Sequence, residues 1–320
     1  MKRFIYILSL ILATTSCQEE ISTLAETSGD TINFVADIFE IEDVIATRGE
    51  LITTQTIESF GVFAYGSYDS ESADEASFMV NQSVTRNDDT WSYSPTKRWG
   101  STVLFYAYSP YSPDSDTAIT PSTSGGELVI DYKVPTDVLT QYDLMLSTPI
   151  VQSAGDVKLT FTHQLSAVSF AITGDGTRKV TAMSVKGLNN YGCLTQSSDG
   201  AVAWSGVGCD QTQIYSVEVV ADITPSTTPK TLTADGYTLL MIPQVIPTVA
   251  AVEVTTVSLT NASDVQVLSL SFDSTQGEWE ANNQYLYTMN ITTSTDVTDV
   301  DLELAVEIVE WVETPEITLW

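Results

Sequence analysis

Apolar and polar residues change places at every second position along much of this chain, a period that a strand satisfies and a helix does not. The plainest case is Val300–Ile308, where Val300, Leu302, Leu304, Val306 and Ile308 alternate with Asp301, Glu303, Ala305 and Glu307. Further strand candidates are Phe60–Tyr65, Val103–Tyr108, Leu128–Lys133, Val157–Ile172, Val180–Leu188, Tyr215–Val220, Tyr237–Ile242, Val249–Thr260, Val265–Phe272 and Tyr285–Ile291. Gly, Asp, Asn and Pro punctuate these runs, and no long segment sustains a helical period. The pattern predicts an all-β protein of tandem β-sandwiches with hairpin and Greek-key connections.

A boundary is expected near Gln152–Asp156, where Ser153-Ala154-Gly155-Asp156 offers turn chemistry between a Tyr/Trp-rich half and a Thr/Val-rich half. This divides the body of the chain into 49–154 and 155–320. Within Val157–Ile172 the alternation changes phase, since Leu159, Phe161, His163 and Leu165 share one face and Val168, Phe170 and Ile172 the other. A β-bulge near Ser166 is the expected cause.

The amino terminus carries a different signal. Lys2 and Arg3 precede an apolar core from Phe4 to Ala13, followed by Thr14, Thr15, Ser16 and Cys17. That core falls well short of the ~20 apolar residues of a spanning helix and reads as a signal peptide over residues 1–16. Small residues ending directly in Cys resemble a bacterial lipoprotein signal, which makes Cys17 the acylated mature terminus. A plain signal peptide that happens to contain a Cys is the alternative.

Formal charge is -30 over 320 residues, yet charged residues are only 17% and hydrophobic residues 43%. So acidic a field repels phosphate backbones, which argues against a nucleic-acid partner, while the apolar share suffices for a core. Apart from Cys17 there are only Cys193 and Cys209. They either form a disulfide that closes one hairpin region or remain two thiols. His163, the single histidine, lies on an apolar face with no nucleophile or orienting acid named nearby, so a core histidine bonded to backbone is expected. No catalytic residue, metal ligand set or cofactor motif is identified. Acid pairs such as Asp114/Asp116 and Asp88/Asp89 sit in turn-forming loops, without EF-hand spacing.

The order of short motifs is informative where each alone is not. The lipoprotein signal is followed by Ile32-Asn33-Phe34, Ala46-Thr47-Arg48-Gly49, Phe60-Gly61-Val62-Phe63-Ala64-Tyr65, Phe78-Met79-Val80-Asn81 and Trp91-Ser92-Tyr93-Ser94-Pro95. Next come Phe105-Tyr106-Ala107-Tyr108, Tyr142-Asp143-Leu144-Met145, Leu159 through Leu165, and Trp279 through Tyr287. This series resembles the Bacteroidales fimbrillin family, the type V pilins. The resemblance implies two transthyretin-like β-sandwiches and export to the outer membrane as a lipid-anchored precursor. It also implies cleavage by an Arg-specific, trypsin-like protease, and strand exchange with other fimbrial subunits in an extracellular fimbria.

The residues suit that scheme. Arg48, followed by Gly49, is the only Arg or Lys between Cys17 and the first domain, which makes 17–48 a removable leader. Its segment Thr31–Ile41 carries Ile32, Phe34, Ile38 and Ile41 and could serve as a temporary strand; losing it would leave an edge open to β-augmentation. The donor candidates are Val300, Leu302, Leu304, Val306, Ile308, Trp311, Ile317, Leu319 and Trp320. Val300–Ile308 also reads as an ordinary last strand, with the tail after Pro315 then the donor. The rival function is a surface glycan-binding lipoprotein that does not polymerise, stacking sugars on Trp91, Tyr93, Trp99, Tyr108 and Tyr111.

Overall fold

The computed structural model describes residues 30–38, 57–66, 78–113, 117–208, 213–217, 219, 223–233, 238–272, 277–293 and 300–310. The strands of the first half are β1 (Phe34–Ile38), β2 (Ser59–Gly66), β3 (Met79–Asn87), β4 (Thr90–Ser92), β5 (Val103–Ser109), β6 (Ile119–Ser124), β7 (Glu127–Lys133), β8 (Met145–Ser147), β9 (Ile150–Gln152) and β10 (Val157–His163). Those of the second are β11 (Ser166–Gly174), β12 (Arg178–Lys186), β13 (Tyr191–Gln196), β14 (Val202–Gly208), β15 (Ile214–Val217), β16 (Lys230–Thr231), β17 (Leu239–Met241), β18 (Gln244–Val245), β19 (Ala251–Ser258), β20 (Val265–Ser271), β21 (Glu278–Trp279), β22 (Asn283–Thr293) and β23 (Val300–Glu310). The all-β class read from the alternation is the class observed.

The largest sheet runs β1-β10-β8-β5-β2-β3-β4, with β9 also on β5. Its central strands β2 and β5 are uninterrupted apolar runs because both of their faces are covered. Phe60, Val62, Phe105 and Ala107 enter one core, and Phe63, Tyr65, Leu104 and Tyr106 enter the other. The sheet's two ends also meet, through an antiparallel bridge between Thr31, just ahead of β1, and Arg98, just past β4.

Beyond it, the sheets β16-β11-β22-β23, with β17 on β11, and β15-β12-β19-β20 share a core of Val168, Phe170, Val180, Val185, Val252, Val254, Tyr285 and Tyr287. Arg178, buried on β12, pins the turn after β19. Its Nη1 reaches Asp264 Oδ2 at 2.8 Å and its Nε donates to Thr256 Oγ1 at 2.9 Å. The same guanidinium hydrogen bond holds the Asp264 carboxyl below the usual carboxylate range.

Pairing crosses the expected boundary at 154/155 in two places. β10 lies within the first sheet, between β1 and β8, and the hairpin β13–β14 extends β7 and β6. The turn at 153–156 therefore joins strands of one sheet instead of separating domains. The phase change near Ser166 also has a different origin from a bulge. β10 ends at His163 and β11 begins at Ser166 in another sheet, so the chain changes core at Gln164–Leu165.

The parallel pairing of β11 with β22 brings the backbones unusually close at Gly174, where a Cβ would fall 2.2 Å from the Ile291 carbonyl oxygen. Gly174→Ala is expected to destabilise the protein by about 2 kcal/mol or more, the range typical of overpacking, read as a lower urea midpoint at unchanged slope.

Candidate functional site

Residues 30–38 occupy a slot between two unlike strands. On one side β1 pairs in parallel with β10, from Phe34 opposite Val157 to Ile38 opposite Phe161. On the other, Ile32 N donates to Lys97 O and Trp99 N donates to Asp30 O, both at 3.0 Å in the antiparallel sense. Alternation decides which side chains enter. Ile32, Phe34 and Ile38 are buried, Ala36 is half-buried, and Asn33 and Val35 face solvent.

The floor of the slot is aromatic. The Phe34 ring lies 5.8 Å from Phe60, 5.9 Å from Phe105 and 5.4 Å from Tyr93, each edge-to-face. Such pairs add about 0.5–1.5 kcal/mol each beyond the area they bury. Phe60 passes the contact on to Phe161 of β10 and to Trp91 of β4, at 5.5 and 4.8 Å. Tyr93 also reads the backbone: its hydroxyl donates to Ile32 O at 2.9 Å and accepts from Lys97 N at 3.1 Å. Burial pushes this phenol's pKa upward, so the donor form persists. Trp99 Nε1 donates to Gly155 O at 3.1 Å, and Asn33 Nδ2 to Asp156 Oδ1 at 3.3 Å.

His163 closes β10 just past the slot. Its Nδ1 stands 2.9 Å from Asp143 Oδ1, with both side chains buried. A carboxylate thus stands beside this ring, because Asp143 sits two residues ahead of Met145, which pairs with His163 across β8 and β10. Gln164 N donates to Leu144 O at 2.8 Å, and Trp204 Nε1 donates to Gln164 O at 3.3 Å. The motifs around Tyr142–Met145 and Leu159–Leu165 form the junction between the first sheet and the rest of the molecule.

Four of the five aromatics assigned to sugar stacking are committed elsewhere, while Tyr111 is half-buried. Trp99 and Tyr108 are 8% and 0% exposed, and Trp91 and Tyr93 pack against the slot's core. Tyr108 also bonds Asn81 Oδ1 at 2.6 Å. Among the described residues no group of three or more His, Cys, Asp or Glu side chains could hold a metal ion.

Cys17, Arg48, Gly49, Cys209, Trp311, Ile317, Leu319 and Trp320 lie outside the described residues. Cys193 sits mid-strand on β13, opposite Ser205 of β14 and Asp131 of β7. Its thiol is pushed up by burial and by the Asp131 carboxylate. Val300–Ile308 forms most of β23, the outer strand of its sheet, antiparallel to β22, with Tyr287 opposite Val306. The slot's second rail at Lys97–Trp99 was not foreseen: those residues form no alternating run, and only the meeting of the sheet's ends brings them to residues 30–32.

Residues 30–38 thus complete the first sheet, held between two rails over an aromatic floor. Residues 47–311 match the model of the fimbrillin-like family, and the chain belongs to that family, one of structural fimbrial and adhesion proteins and not of enzymes. Over 151 residues it is 26% identical to the fimbrium subunit Fim1C of Phocaeicola vulgatus, a match covering 39% of this chain and 40% of that relative's length. The fold is that of a fimbrial protein from Bacteroides vulgatus, with TM-score 0.60 and 17% identity over 88% of this chain and 99% of the other. A candidate cell-adhesion protein from Bacteroides ovatus gives TM-score 0.56 and 17% identity over 90% and 99%.

Truncating the ring at the centre of the floor tests its role. Phe34→Ala is expected to cost the uncleaved protein about 3–5 kcal/mol, the range for a buried Phe. The check is the denaturant midpoint of the uncleaved variant against that of the uncleaved parent.

Proposed function

We propose that this chain is a structural subunit of a type V fimbria that supports adhesion and is exported as a lipoprotein acylated at Cys17. It reaches the outer-membrane surface with residues 17–48 attached. An Arg-specific, trypsin-like protease cuts after Arg48, the leader strand departs, and a strand from another subunit takes its place in an extracellular fimbria.

The observation that carries this reading is the position of residues 30–38. They precede the only basic residue of the leader, yet they complete a sheet and fill the core beneath it. A covalent cut downstream would free this strand from the domain it completes. Its loss would leave the β10 edge unpaired and Phe60, Phe105 and Tyr93 uncovered, a state that favours capture of another strand. The family match beginning at residue 47, next to Arg48, is consistent with a leader separate from the fimbrillin-like body.

Arg48→Ala should yield a folded, lipidated monomer that resists the protease and does not polymerise. The check is intact mass and native gel electrophoresis before and after limited Arg-specific digestion. Polymer in normal yield from that variant would overturn the processing step.

A further inference from the structure

We propose that the solvent face of the sheet β14-β13-β7-β6 carries a binding site for one neutral pyranose residue of a glycan, with Tyr191 as the stacking surface and Asp131, Lys133 and Thr120 as the hydrogen-bonding rim. The site belongs to a different sheet from the slot at residues 30–38. It gives the adhesion proposed above a ligand class and does not depend on processing at Arg48.

Alternation and register assemble the site. On β7, Asp131 and Lys133 are exposed while Ile130 and Tyr132 are buried. Across the ladders Asp131 stands between Thr120 of β6 and Cys193 of β13, and Lys133 stands opposite Tyr191. These residues line one open cleft of about 300 Å³, at the lower end of the range for small-ligand sites. The Cys193 thiol hydrogen-bonds the Asp131 carboxylate within it. Among the described residues neither that carboxylate nor the Lys133 ammonium has an ion-pair partner, so both are available to a ligand.

A local irregularity holds the aromatic wall. Between the pairs Tyr191–Gly208 and Cys193–Ser205 the ladder slips, so Gly206 and Val207 of β14 oppose the single residue Gly192. Such a bulge re-aims the side chains beside it. Gly206 has a φ of 60°, and a Cβ there would meet nothing within 4 Å, which leaves that side of the cleft open. Gly208 is crowded instead. A Cβ there would fall 2.4 Å from the Tyr191 hydroxyl oxygen and 2.5 Å from its Cζ, so the ring rests directly on the glycine backbone. Tyr191 is nevertheless 44% exposed: the ring is seated but presented to solvent.

Those features suit a sugar ring. The C–H groups on one face of a pyranose lie against the electron-rich face of an aromatic ring, while its hydroxyls point sideways to polar groups. Asp131 accepts from such hydroxyls, Lys133 donates to them, and Thr120 does either. Other ligand classes fit worse. An apolar ligand would find a single ring among polar side chains, and a phosphate or acidic sugar would meet Asp131 in a chain of net charge -30. One ring and three rim groups give an affinity on the order of a millimolar. In a fimbria the site recurs in each subunit, and avidity compensates for that weakness.

The test uses uncleaved Gln18–Trp320, so that polymerisation does not enter. Saturation-transfer NMR with the methyl glycosides of glucose, galactose, mannose, fucose and N-acetylglucosamine should show transfer to at least one of them. Tyr191→Ala should weaken that binding about tenfold, and Tyr191→Phe should retain it. The urea midpoint should stay at the parent's value in both variants, because the replaced side chain is exposed. In protein carrying Cys209→Ser, the same glycoside should slow alkylation of Cys193 by N-ethylmaleimide severalfold. Absence of transfer to every glycoside would overturn the proposal. Transfer that Tyr191→Ala leaves intact, or an unchanged alkylation rate, would overturn this cleft as the site. Each of these failures leaves the strand-replacement reading standing, since that reading is tested on cleaved protein.

Discussion

An edge strand carries a row of backbone donors and acceptors that must be paired, and a sheet with both faces covered cannot leave that pairing to chance. In this protein residues 30–38 supply the missing partners twice over, to β10 on one side and to Lys97–Trp99 on the other. They also place Phe34 among Phe60, Phe105 and Tyr93. The rest of the first core is arranged around that insertion. Trp99 and Tyr93, which a reader of the sequence would set on the surface, turn inward because they line the slot and hydrogen-bond its backbone.

The same constraint gives the fold its functional logic. A strand held by main-chain bonds and alternate side chains can be exchanged for another strand of the same pattern without rebuilding the domain. The parallel rail pairs Phe34 with Val157 through to Ile38 with Phe161, and the aromatic floor seats Phe34 in that register. From β10 the chain passes through His163–Leu165 directly into β11, the parallel partner of β22, which in turn holds β23. The sheet that holds residues 30–38 and the sheet that holds β23 are thus joined at Gln164–Leu165, beside the buried His163–Asp143 pair.

Much of the architecture is legible in the alternation. The runs at Phe60–Tyr65 and Val103–Tyr108 read as strands and form β2 and β5, and β19, β20, β22 and β23 lie where their patterns place them. The strand at Phe34–Ile38 is legible too, from Ile32, Phe34 and Ile38. Less visible are β3, β13 and β14, whose residues Met79–Asn87, Tyr191–Gln196 and Val202–Gly208 are polar or glycine-bearing. Their place is set by the neighbours they extend.

The sequence by itself determined that this chain forms strands, that Arg48 is the only Arg or Lys between Cys17 and Phe60, and that the segments near residues 34 and 304 each have an apolar face to bury. These are local properties, since period, charge and turn chemistry act within a few residues. Only the tertiary structure decided which strands lie side by side, where the core changes hands, and which aromatics are buried. Those outcomes depend on pairing between residues far apart in the chain, such as Thr31 with Arg98 and Tyr132 with Gly192. Periodicity says that a strand has a face to bury, but the face it meets is chosen by the closure of the whole sheet.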